Sequence, residues 1–344
     1  MHLIRMSRRE LLWVLGAGTL ARGQDAKITT DVNVVNVFAT VHDKKGLLMR
    51  DLKQEDFSIE EDGRPQTIKY FSKEVDLPLK LGLSVDTSPS QRRVLEQERG
   101  ASGKFLDQVL REGKDQAFVL HFDAEVELLQ DFTGSGKLLR AALNEIEAAS
   151  PRQLQRRDPN DPSQSQGQQR HRAGGTSLYD AIALACDELM RKQTGRKALV
   201  LLTDGVDTSS KDTMTDAIMS AQKADTLVYS VYFSDDQGYG QQSGGGGVFG
   251  PPRMGRRGGM GQQRRPDGRK VLERLADETG GSFFEMKKQT LDEVYRQLQE
   301  ELRSQYSLGY TPDKDAGRGY RRIKVLTKEK SLTVRARDGY YADR

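Results

Sequence analysis

Cysteine is all but missing from this 344-residue chain. Cys186 stands alone, so no internal disulfide can form in any compartment. Only four histidines are present, and His42, His121 and His171 are scattered, with no H-E-x-x-H pair and no Cys-x-x-Cys. That removes the common zinc signatures. The chain also lacks a G-x-S-x-G elbow, and its Gly-rich tract lacks the G-K-[ST] ending of a phosphate-binding loop. Charge of one sign is in short supply as well. A net +4 over this length gives no general case for nucleic-acid binding. Finally, no apolar run approaches the ~20 residues that a membrane-spanning helix needs.

What is present begins with an export-like segment. Arg5, Arg8 and Arg9 precede a short apolar stretch from Leu11 to Ala21, and the small residues Ala21 and Gly23 suit a cut before Gln24. Residues 1–23 therefore read as an export signal, with retention as an uncleaved anchor as the alternative. Ser7-Arg8-Arg9-Glu10-Leu11-Leu12 resembles a twin-arginine motif, with Leu11 where phenylalanine is commoner. The expected location is periplasmic or extracellular.

The mean hydropathy of -0.69 is low chiefly because of two polar insertions. Residues 151–172 are rich in Gln, Arg, Pro and Ser, and residues 236–268 in Gly, Gln and Arg. Neither has a hydrophobic period, so disorder is expected in both. They either shape recognition at a nearby site or are inert surface loops, whose length costs little. Arg253, Arg256, Arg257, Arg264 and Arg265 have the composition of an RNA-binding tract. Without interleaved aromatics to stack on bases, nucleic acid is not the expected partner. An anionic surface polymer or lipid is the better alternative for that cluster.

Between and around the insertions the period of the apolar residues alternates. Residues 28–70 have strand periodicity, broken at Asp43-Lys44-Lys45-Gly46 and Glu61-Asp62-Gly63, as in a small β-domain (24–76) of immunoglobulin-like type. Fewer than fifty residues cannot close a sandwich. A C-terminal hairpin in residues 313–344, Arg322 to Leu326 and Leu332 to Ala336, offers the missing strands. The centre, 77–312, alternates strands and helices as an open α/β sheet does. Helices are expected over 92–112, 137–148, 179–192, 214–223, 269–279 and 291–304. The link Asp123-Ala124-Glu125 is too short for a parallel crossover, so its two strands must form a hairpin. Cys186 falls in the 179–192 helix and reads as a small core residue.

Three segments carry chemistry. Leu79 to Val85 alternates and then ends in Asp86-Thr87-Ser88-Pro89-Ser90, with side-chain oxygens at i, i+2 and i+4. Alone, this is either an oxygen-rich cation loop or a polar turn with Ser90 capping the next helix. Gly174-Gly175-Thr176 puts a hydroxyl at the entrance of a helix, and Ala198 to Leu202 is a continuous apolar run ending in Thr203-Asp204-Gly205. In order, D-x-S-x-S, G-G-T and T-D-G resemble the metal-ion-dependent adhesion site (MIDAS) of the von Willebrand factor A (VWA) domain family.

That resemblance implies a doubly wound α/β fold, a mostly parallel sheet with one antiparallel edge strand, beside the small flanking β-module. It implies Ser88, Ser90 and Thr176 as direct metal ligands, with Asp86 and Asp204 holding the ion chiefly through water. Magnesium is the default ion, with calcium or manganese as alternatives. Neutral hydroxyl ligands leave much of the ion's charge unmet, so an acidic group from a protein or cell-surface partner is the expected ligand at the open position. The function implied is metal-dependent binding without catalysis. A periplasmic scaffold that uses the domain for docking and a metal-dependent hydrolase are the alternatives. Lys211, Asp207, Asp212 and Asp216 are the acid/base candidates for the latter, and a helix start explains them equally well.

Overall fold

The computed structural model describes residues 34–74, 77–91, 94–146, 175–233, 267–286, 289–312 and 318–342. The export segment and residues 24–33, the first insertion, and nearly all of the second lie outside them. In chain order come β1 (Val35–His42), β2 (Phe57–Glu61), β3 (Arg64–Gln66) and β4 (Ile68–Glu74). An alternating stretch follows: β5 (Leu79–Asp86), α1 (Leu95–Val109), β6 (Gln116–Phe122), β7 (Val126–Thr133), α2 (Gly136–Glu145), α3 (Leu178–Leu184) and β8 (Arg196–Thr203). It continues with α4 (Met214–Lys223), β9 (Thr226–Tyr232), α5 (Gly268–Thr279), β10 (Phe283–Glu285) and α6 (Leu291–Leu302). The chain closes with β11 (Gln305–Tyr310), β12 (Gly319–Thr327), β13 (Thr333–Ala336) and β14 (Gly339–Ala342).

The central sheet has the order β10-β9-β8-β5-β6-β7, parallel throughout except for the antiparallel edge pair β6 and β7. Strand alternation wraps both faces. Leu81, Leu83, Val85 and Val200 face α1, α2 and α6 in one core. Phe118, Leu120, Leu199 and Leu201 face α3, α4 and α5 in the other. All eight residues of β8 are buried, which is why its sequence is a run rather than an alternation. Gly82 is required in β5, because a Cβ there would run into the Phe118 ring and Leu199.

The β-module is a two-sheet sandwich with orders β13-β1-β11-β4 and β14-β12-β2-β3. The C-terminal strands join it, but not as the expected hairpin: β12 pairs with β2 (Val325 opposite Ile59) and β14, whereas β13 crosses to the other sheet and pairs with β1 (Ala39 opposite Ala336). Its core gathers Val37, Val41, Ile59, Tyr306, Leu308, Tyr310 and Ile323. Arg337 ties this module to the α/β sheet by bonding both the Asp225 carboxylate and the Asn36 carbonyl.

Several local expectations change. Residues 305–310, read from sequence as part of the central stretch, form β11 between β1 and β4 in the sandwich. The helix expected over 92–112 runs only Leu95–Val109, ending where Leu110 turns extended. Ser90 does not cap it; it lies in a 3-10 turn, Pro89–Gln91, and the cap position is Val94. The helix expected over 179–192 is α-helical only to Leu184, then passes through a π turn, Ala185–Leu189, that holds the buried Cys186.

Candidate metal centre

β5 lies between β8 and β6, so the chain leaves its carboxyl end toward one side and returns on the other. That reversal opens a crevice at the carboxyl edge of an α/β sheet. Asp86 is the last residue of β5 and is fully buried. One carboxylate oxygen accepts the Ser88 amide at 2.9 Å, and the other accepts the Thr203 hydroxyl at 2.6 Å. Thr203 in turn accepts the Gly205 amide at 3.0 Å, so the end of β8 is bonded directly to the end of β5.

The loop after Asp86 is fixed from below. Thr87 donates its amide to the Phe122 carbonyl at 2.9 Å, and its hydroxyl lies 3.1 Å from His121 Nδ1. His121 Nε2 is 3.2 Å from Glu127, so this histidine is a strut between strands and loop. Ser88 is buried and Ser90 exposed, with their hydroxyl oxygens 3.0 Å apart. Two hydroxyls from this turn are thereby within hydrogen-bond distance of each other.

Asp204 begins the loop after β8, half-buried, with one oxygen accepting the Val206 amide at 3.0 Å. Gly205 follows with φ +72°, and a Cβ there would collide with the Gly268 carbonyl at the start of α5. Only glycine permits that turn. Thr176 is held to the same loop: its amide donates to Thr208 Oγ1 at 2.9 Å, and its carbonyl accepts the Thr208 and Ser209 amides at 2.9 and 3.2 Å. The neighbouring Ser177 amide donates to the Asp123 carbonyl at 2.7 Å. These bonds hold the Thr176 segment between the loops after β6 and β8, while Asp86, Ser88 and Ser90 sit on the β5 loop between those two strands. Gly174 lies outside the described residues.

The electrostatics follow from burial. Burial pushes the Asp86 carboxyl up to about 6; hydrogen bonds from Ser88 and Thr203 pull it down, and the nearby Asp204 charge pushes it up again. A carboxylate shut off from water, with a second carboxylate charge opposing its ionisation, forms an environment that a cation relieves. Among the described residues no three His, Cys, Asp or Glu side chains gather into a metal-binding group. The oxygens here come instead from two carboxylates and neighbouring hydroxyls, a donor set suited to a hard cation. Both Asp86 oxygens already accept a protein hydrogen bond, which fits a carboxylate that works through water.

Two of the acid/base candidates, Asp207 and Asp216, have carboxylates committed to scaffolding. Asp207 accepts the Leu178 amide at 2.9 Å and the Ser210 hydroxyl at 2.5 Å. Asp216 closes a capping box with Thr213 at the start of α4. Lys211 and Asp212 are engaged through the backbone, both amides donating to Asp180. The sequence placed Thr203 in the T-D-G motif without a role of its own, and it did not single out Thr208 or Glu98. Nothing local marks Thr208. Glu98 had a signal: it falls on the apolar stripe of α1, three residues after Leu95 and seven before Phe105.

No known family model matches the sequence, and no curated protein aligns with it. Solved structures do. An aerotolerance-related membrane protein from Bacteroides fragilis is 16% identical, covering 65% of this chain and 98% of that one, with a TM-score of 0.42. Proximal thread matrix protein 1 from the mussel byssus, with a zinc-occupied MIDAS motif, is 12% identical over 72% of this chain and 50% of its own, at 0.46. A von Willebrand factor type A structure from Catenulispora acidiphila is 13% identical over 83% and 73%, also at 0.46. At such scores the likenesses carry no argument about what this chain does. Its own sheet, mostly parallel with one antiparallel edge pair, is the arrangement that the motif resemblance implies.

Proposed function

We propose that this is an exported protein that captures a protein or cell-surface partner through a divalent cation held at the carboxyl edge of the central sheet. Ser88, Ser90 and Thr176 would hold the ion directly, and Asp86 and Asp204 through water. The ion, magnesium by default, supplies an electrophilic position for a partner's carboxylate. The observation that carries this reading is the hydrogen-bonded junction of Asp86, Thr203 and Ser88, beside Asp204, at the point where strand order reverses. A hydroxyl-rich donor set neutralises less of the ion's charge than a carboxylate cage does, which favours an acidic ligand. Binding is favoured over hydrolysis because His121, Asp207 and Asp216 are already bonded to the scaffold.

Export rests on the charged-then-apolar pattern of residues 1–23. Among the described residues no helix is long and apolar enough to cross a membrane.

The test is titration calorimetry of Mg²⁺ into the wild type and Asp86→Ala, followed by capture from envelope extract with Mg²⁺ or with EDTA. Saturable Mg²⁺ binding lost in Asp86→Ala, with capture lost in EDTA, is the expected result. Capture that survives both EDTA and the substitution would overturn the reading.

A further inference from the structure

Among the described residues the buried carboxylates are well served, with one exception. Glu61 accepts the hydroxyls of Tyr310 and Tyr340 and the guanidinium of Arg321. Glu301 accepts the Ser282 hydroxyl and lies 3.4 Å from His42. Asp115 takes Arg111 and the Leu79 and Arg111 amides. Glu98 is 1% exposed, and neither of its oxygens has a hydrogen-bond donor.

The surroundings deepen the anomaly. Glu98 sits in the first turn of α1, the helix that packs Leu95, Phe105 and Leu106 onto the β5 face of the sheet. Burial pushes its carboxyl up to about 8, and the Asp86 charge pushes the same way. Ser102, one helical turn on, is paired with Tyr295 at 2.6 Å. Gln91, in the same turn as Ser90, also buries an unpartnered oxygen. Among the described residues, no hydrogen-bond donor meets these acceptor oxygens.

A buried acid without donors costs stability, and a leucine would fill a position on an apolar helix stripe at no such cost. Such an exception in a folded protein calls for a cause, and an ion that the polypeptide does not supply is one. We propose that Glu98 is a positioning residue of the cation site, a carboxylate behind Asp86 whose charge the bound divalent ion compensates and which tightens the protein's hold on that ion. This rests on the site reading given above. Because Ser88, Ser90 and Thr176 bring no charge, Glu98 adds a third carboxylate to Asp86 and Asp204 without occupying a coordination position. The open position is thereby left to the partner.

The experiment uses the full chain, with Glu98→Gln and Glu98→Leu compared with the wild type and with Asp86→Ala as control. Mg²⁺ and Mn²⁺ affinities are measured by calorimetry, and urea midpoints in EDTA report the metal-free fold. Expected are variants at least as stable as the wild type in EDTA that bind the ion on the order of 10–100-fold more weakly, the usual scale for an outer-shell partner. A carboxylate with a merely structural role would move the urea midpoint and leave ion affinity alone; wild-type affinity in both variants overturns the proposal. Wild type that takes up no ion, or takes it up equally well in Asp86→Ala, overturns the site reading itself.

Discussion

Replacing Asp86 by Asn should stabilise the metal-free protein at pH 8 and leave it no more stable at pH 4. Asp86 is fully buried, and its carboxyl is raised from the ordinary 3.8 to about 6. The folded state therefore binds the proton more tightly than the unfolded chain does. The associated stability is complete below about pH 4 and drains away as pH rises through 6. The gap corresponds to roughly 3 kcal/mol at full ionisation. Asparagine keeps the oxygen that accepts the Ser88 amide, but turns an N–H toward Thr203 Oγ1, which must change from donor to acceptor. Setting about 1 kcal/mol against that rearrangement leaves a net gain of about 2 kcal/mol at pH 8. Urea unfolding followed by circular dichroism, in EDTA at pH 4, 6 and 8, measures it as a midpoint shift at constant slope. Adding Mg²⁺ at a hundred times its dissociation constant should return about 2.7 kcal/mol to the wild type and nothing to the Asn variant. An Asn variant less stable than the wild type at pH 8, or a difference independent of pH, would refute the electrostatic account of Asp86.

Two further outcomes test the scaffold. Glu61→Ala strips the carboxylate from Arg321, which is 6% exposed, and from the Tyr310 and Tyr340 hydroxyls, so a loss of about 3–5 kcal/mol in urea unfolding is expected. A loss below about 1 kcal/mol would mean that this network contributes little. Cys186 is fully buried, and burial pushes its thiol far above the ordinary range. It should resist an aromatic disulfide reagent at pH 8 until the protein is unfolded; rapid labelling of the native protein would show that the π turn opens.

Much of the fold was legible because it is written in periods. The run from Ala198 to Leu202 has no polar alternation because both faces of β8 are covered. The three-residue link at Asp123 forces an antiparallel pair, which is the observed edge of the sheet. The loop oxygens of Asp86, Ser88 and Ser90 were visible too, as was their place after a strand. Where the reading fell short, the missing information was an address rather than a pattern. Gln305 to Tyr310 alternates as any strand does, but its sheet is chosen by partners in β1 and β4 more than 230 residues earlier in the chain.

The sequence alone thus determined which segments are strands and helices and which loops are rich in oxygen, because a side chain's face follows from the repeat of the backbone it sits on. Only the tertiary structure decided that Thr203 would lock onto Asp86 and that Thr208 would hold Thr176. The same is true of Glu98, which it turned inward with neither oxygen given a donor. Those contacts join residues 32 to 117 positions apart or depend on how a helix is rolled onto a sheet. Such relations exist only once the apolar faces have been packed, and no local spacing encodes them.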